Sequence, residues 1–114
     1  MTGPTLVAQP FNGWAPIWQW TLGSGETGTA VVVPDKAEKT IHVFGTFGGN
    51  VSVEGSLETD VATAANFVVL TNSRGEALSA LTATTLATVQ ENVYLLRPVA
   101  GSGVSAITVR LLMR

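Results

Sequence analysis

The chain has no cysteine and a single histidine, His42. The first absence excludes disulfides and thiolate-ligated metals, and the second excludes any site built from several imidazoles. Charge is scarce as well. Asp, Glu, Lys and Arg make up 12% of the residues, about half the share in an ordinary soluble domain. The formal net charge is −2, and only Lys36 and Lys39 lie close together, with Glu38 between them. A protein that grips nucleic acid through its phosphates needs clustered Lys and Arg, so no nucleic-acid partner is expected. No apolar run approaches the ~18 residues that span a bilayer, so no membrane partner is expected. The opening MTGPTLVAQP carries no basic region followed by an apolar stretch, and a signal peptide is not expected.

What the chain does have is apolar residues, 46% of the total, together with 12 glycines. At 114 residues it is long enough for one domain that buries roughly two thirds of its unfolded surface. An apolar chain with so few charges stays in solution through its Thr, Ser and Gly surface, or hides part of that surface in an assembly. The two readings are compatible.

The stretch 40–58, TIHVFGTFGGNVSVEGSLE, carries the clearest pattern. Ile41, Val43, Gly45 and Phe47 alternate with His42, Phe44 and Thr46. After the glycines, Val51, Val53, Gly55 and Leu57 alternate with Ser52, Glu54, Ser56 and Glu58. Such alternation marks half-buried strands. Read as a hairpin with the loop Gly48-Gly49-Asn50, it pairs Phe47 with Val51, Gly45 with Val53, Val43 with Gly55 and Ile41 with Leu57. All apolar residues then share one face. Gly45 and Gly55 imply something packed close above the sheet.

Residues 1–16 read as an extended arm, because Pro4, Pro10 and Pro16 oppose regular structure. The arm carries Phe11 and Trp14, packed on its own domain or on a neighbour. Residues 17–22 form the next strand, with Trp18 and Trp20 on one face. That pair is either a core stripe or an exposed platform for a sugar ring or partner loop. Residues 29–33 form a strand ended by Pro34, and 35–39 a solvated charged tip. Residues 59–66 are a short helix or a loop. A strand at 67–71 leads into the turn Asn72-Ser73-Arg74-Gly75, with Gly75 placed for positive φ, and returns at 76–81. Residues 82–91 are a strand or a crossover. A strand at 92–97 ends at Pro98. The last strand, 104–113, turns Ile107, Val109, Leu111 and Met113 inward and Ala106, Thr108, Arg110 and Leu112 outward. About nine strands with short turns give an all-β fold: a single antiparallel β-sandwich or jelly-roll-like domain over 17–114, with an extended N-terminal arm over 1–16.

No catalytic set emerges. His42 with Ser56 and the nearby Glu54 and Glu58 imitates a triad on a flat strand surface without a cleft or oxyanion donors. Glu54, Glu58 and Asp60 match no calcium-loop spacing. The glycines of GTFGG and GSGETG join strands and open no helix, unlike a phosphate-binding loop. No cofactor, no metal and no enzymatic activity are expected.

Four segments carry a resemblance: VSVEGS (51–56), FVVLTNSRGEAL (67–78), VQENVYLLRPV (89–99) and the closing AITVRLL (106–112). Together they resemble small structural proteins encoded near the capsid genes of tailed phages. The resemblance rests on the VxVxGS strand, on Phe67 and Gly75, and on Tyr94-Leu95-Leu96-Arg97-Pro98. Where relatives carry an Asn-Asp-Gly turn and a Trp after the VxVxGS strand, this chain has TDVATAANF. The resemblance implies a virion component on the capsid exterior, assembled in the host cytoplasm. It would be a decoration (cement) protein that binds the major capsid protein lattice and its own copies. Contact residues expected on that basis are Phe11, Trp14, Trp18, Trp20, Phe44 and Leu112. A head-tail or tail component belongs to the same class. The alternative is a carbohydrate-binding β-sandwich stacking sugars on Trp18 and Trp20 or on Phe44.

Overall fold

The computed structural model describes residues 3–8, 15–33 and 38–114. Phe11 and Trp14, and most of the charged tip, lie outside the described residues. Among the described residues nine strands follow one another: β1 (Thr5–Ala8), β2 (Ile17–Leu22), β3 (Val31–Val32), β4 (Lys39–Thr46), β5 (Val51–Ser56), β6 (Val68–Val69), β7 (Thr85–Thr88), β8 (Leu95–Ala100) and β9 (Ala106–Met113). They form two antiparallel sheets, one ordered β1-β2-β9-β4-β7 and the other β3-β8-β5-β6. The fold is the expected all-β sandwich.

Alternation decides which side chains enter the core. Ile41 and Val43 of β4, Val51 and Val53 of β5, and Ile107, Val109, Leu111 and Met113 of β9 are all buried in one cluster. The expected pairing of 40–58 is overturned. β4 lies between β9 and β7, with Ile41 opposite Leu111 and Val43 opposite Val109, whereas β5 lies between β8 and β6 in the other sheet. The two apolar faces meet across the core instead of side by side. An alternating pattern is satisfied by either arrangement. The link 47–50, reaching ~13 Å when extended, is long enough to cross the ~10 Å between sheets.

A second link, 101–105, carries the chain back from β8 to β9, and the two links lie on one another. A Cβ at Gly48 or Gly49 would sit on the carbonyl oxygens of Gly103 and Ser102. Gly101 N–H donates to the Asn50 carbonyl at 2.8 Å. Backbone-to-backbone crossing excludes side chains, which is why glycines crowd both links. At Gly55 a Cβ would meet Leu70 and Val93 at 2.9 Å, the close approach its position implied.

Three further expectations change. Within the stretch read as an arm, Thr5–Ala8 is an edge strand on β2, with a bulge between Leu6 and Ala8. Pro4 precedes the strand and lies outside the ladder, where it costs no hydrogen bond. Pro98 does not end its strand, since β8 runs on to Ala100. Val53, opposite Pro98, sends its own N–H and C=O to Leu78 and Leu70, so no bond to β5 is lost there. Lys39 is no part of a solvated tip: it opens β4, fully buried. Residues 59–66 make a turn, with the Asp60 carboxylate and carbonyl accepting from Ala62 and Ala64. The Asn72-Ser73-Arg74-Gly75 turn forms as expected, with φ +78° at Gly75 and the Asn72 side chain accepting from the N–H groups of Arg74 and Glu76.

Candidate functional site

Trp20 is the centre of the core. It has 0% of its surface exposed, and its indole N–H donates to the Thr29 carbonyl at 2.8 Å. Gly28 is wedged between that indole and the ring of Pro98, since a Cβ there would meet either at 2.7–2.8 Å. Trp18 points the same way and packs against the core, half-buried. The expected contact role of Trp20 is therefore excluded, and no exposed tryptophan platform exists on β2. Alternation alone names a shared face for the two rings; only the position of β2 within the sheet makes that face the inner one.

Phe44 and Leu112 do lie on an outer face, that of the five-stranded sheet. Strand register builds it row by row. One row runs Thr5, Gln19, Arg110, His42, Leu86 across β1, β2, β9, β4 and β7. A second runs Ile17, Leu112, Thr40, Thr88, and a third Thr21, Thr108, Phe44. Arg110 bridges the rows: its Nε donates to Gln19 Oε1 at 2.8 Å, and its guanidinium lies 5.8 Å from the Phe44 ring centre. His42 and Phe44 are tilted against each other, with ring centres 4.6 Å apart. Arg110 and His42 are the only ionisable groups in these rows. The face is an aromatic and aliphatic floor among threonines, flanked by Leu86, 70% exposed.

The outer face of the four-stranded sheet is built differently. Arg97 donates to Glu54 Oε1 from Nε and Nη2, at 3.1 and 3.0 Å, and its guanidinium stacks 3.7 Å from the Phe67 ring centre. Glu58 accepts the N–H groups of Asn66 at 2.6 Å and Ala65 at 2.8 Å, and these hold its carboxyl below the usual range. The acidic group Glu54, Glu58 and Asp60 is thus spent on an ion pair and a loop clasp. Among the described residues no cluster of three potential metal ligands exists. His42 and Ser56 stand in different sheets, so the imitation of a triad dissolves.

A network invisible in the sequence ties the flank together. Buried Lys39 donates from Nζ to Asn92 Oδ1 at 3.3 Å. Burial lowers its pKa, and Glu91 works in the opposite direction. Glu91 receives both the N–H and the hydroxyl of Thr71, at 2.9 and 2.6 Å. Burial works against the Glu91 anion, but the Thr71 bonds and Lys39 outweigh it and leave the carboxyl more acidic than usual. Among the described residues, two clefts flank the sheets. One, of about 380 Å³, lies between the turn at 72–74 and residues 85–88; the other, of about 330 Å³, lies over residues 47–50 and Thr82. Neither is lined by His42 or a carboxylate.

No protein-family model and no curated protein sequence matches the chain. Among solved structures, the fold is similar to that of YomS, a protein derived from the SPBc2 prophage. The TM-score is 0.65 at 16% identity, over 87% of this chain and 93% of that one. A cupin domain from Bordetella pertussis Tohama I is more distant, with a TM-score of 0.49 at 14% identity, over 98% and 94% of the two chains. The likeness to YomS is one of fold: the same two-sheet arrangement carried by a largely different sequence.

Proposed function

We propose that this chain is a non-enzymatic structural protein of a phage virion. It decorates the capsid exterior by docking on the major capsid protein lattice, and it associates with its own copies. The observation that carries this reading is the outer face of β1-β2-β9-β4-β7, nearly uncharged and centred on half-buried Phe44, Leu112 and Ile17. The fold likeness to a prophage-derived protein supports it. A nearly uncharged sheet face suits docking on a repeated lattice, where ~800 Å² per partner makes a specific contact. Phe44, held by His42 and Arg110, has the character of an interface anchor.

The test is binding to empty phage shells that lack the protein, followed by sedimentation and counting of bound copies. Saturable binding at a fixed ratio to the shell protein supports the reading, and Phe44→Ala should weaken it. No binding by a well-folded protein overturns decoration. A small fixed number of copies at one vertex would assign it instead to the head-tail or tail components. The carbohydrate-binding alternative has lost its tryptophan platform, and only Phe44 remains as a stacking surface. It predicts saturable oligosaccharide binding that Phe44→Ala abolishes, whereas the decoration reading predicts no sugar binding.

A further inference from the structure

We propose that two copies of this chain pair through the free edge of β7 across a two-fold axis, with Leu86 opposite its counterpart in the second copy. The inference rests on the self-association part of the reading above.

Backbone direction along β7 comes first. Val89 N–H donates to the Lys39 carbonyl at 2.8 Å, and Ala87 and Thr85 stand opposite Ile41 and Val43. The odd-numbered residues therefore turn their N–H and C=O toward β4, and Leu86 and Thr88 turn theirs away. Beyond Thr88 the far side is covered, because Asn72 bridges Val89 and Gln90 N–H donates to the Thr71 carbonyl at 2.9 Å. Before that point, among the described residues, no backbone group pairs with the outer edge at Leu86. A cleft of about 380 Å³ separates residues 85–88 from the turn at 72–74, so that turn stands off from Leu86.

The edge is also undefended. Residues 82–89 read TATTLATV, without a charge, a proline or a glycine. Sheet edges are ordinarily protected by Lys, Pro or a bulge, and the opposite edge of this sheet has one, the bulge between Leu6 and Ala8. Leu86 stands beside the bare edge with 70% of its surface exposed.

Symmetry selects the occupant. An antiparallel two-fold pairing must match outward face to outward face. Leu86 is outward and its backbone points off the edge, so a register centred on Leu86 satisfies both demands. The two Leu86 residues exchange both N–H···O=C bonds, and Thr84 falls opposite Thr88. No like charges meet along 82–89, and Arg74 on the cleft rim is paired with Glu76 at 3.4 Å. The result is one continuous sheet across two protomers, its outer faces joined in one plane.

The test uses purified protein without shells, so its failure is separable from failure of shell binding. The chain has no cysteine, so Leu86→Cys carries one thiol. Hydrogen-bonded antiparallel partners have Cα atoms ~5.5 Å apart, within disulfide range. Sedimentation equilibrium should show a concentration-dependent dimer. Leu86→Lys should raise its dissociation constant about tenfold or more, with circular dichroism and Tm unchanged. Under mild oxidation Leu86→Cys should become a covalent dimer while Val7→Cys, at the bulged edge, stays monomeric. A wild type that is monomeric at its highest soluble concentration overturns the proposal. So does an oligomer that Leu86→Lys leaves intact, or equal cross-linking at both edges.

Discussion

The two sheets share one core but finish their outer faces in opposite ways. The four-stranded sheet closes part of its outer face with its own chain: Arg97 lies between Glu54 and Phe67, and Glu58 clasps the loop that follows β5, although Val32, Val68 and Val69 of that sheet stay exposed. The five-stranded sheet leaves Phe44, Leu112 and Ile17 half-buried on its outer face and Leu86 exposed, with Arg110 tied to Gln19 within the face. The four-stranded face holds an ion pair and a close guanidinium stack, whereas the five-stranded face holds a single guanidinium, tied to Gln19 and 5.8 Å from Phe44. The contrast teaches that outward position alone does not mark an interface. What a chain already spends on a face decides whether that face is available.

Substitutions can break this comparison, and the largest effects belong to the core common to both sheets. Trp20→Ala removes a fully buried ring and its N–H bond, and should cost about 3–5 kcal/mol in denaturant unfolding. An effect below about 1 kcal/mol would return Trp20 to the surface. Gly28→Ala places a methyl against Trp20 and Pro98 and should cost about 1–3 kcal/mol by the same measurement.

On the closed face, Arg97→Ala should cost about 1–2 kcal/mol through loss of the partly buried Glu54 pair and the Phe67 stack. On the open face, Phe44→Ala should cost less, about 1 kcal/mol or under, while shell binding falls. Equal losses at the two positions would erase the distinction between the faces.

The smallest effect is local and depends on pH. The Glu58 carboxyl is held below its ordinary range by the Asn66 and Ala65 N–H groups. A carboxylate whose folded pKa is depressed contributes its stability above the unfolded pKa and loses it as pH falls through the folded one. The amide resonances of Ala65 and Asn66 should therefore move together on acidification below the usual glutamate range. Glu58→Gln should abolish that step and leave the amides of the open face unmoved.

Much of the fold was legible because a strand with one buried face must alternate. The inward set of β9, the turn with Gly75 at positive φ, and the all-β class all follow from local pattern and turn chemistry. Phe44 and Leu112 were legible as outward residues for the same reason. Leu86 was not singled out, because TATTLATV shows no face until β4 pairs with it. Lys39 looked like part of a charged tip. Its burial depends on Glu91, Thr71 and Asn92, far along the chain, which no local pattern reports.

The sequence by itself determined which side chains of a strand share a face, where the chain can bend tightly, and that neither disulfides nor a multi-histidine site are available. Tertiary structure alone decided which strands are neighbours. Periodicity is a property of a single strand and registers only that one face is apolar. Whether the apolar faces of β4 and β5 lie side by side or meet across the core depends on which backbone takes each hydrogen bond. Here β9 and β8 took those places, and the glycine links crossed between the sheets.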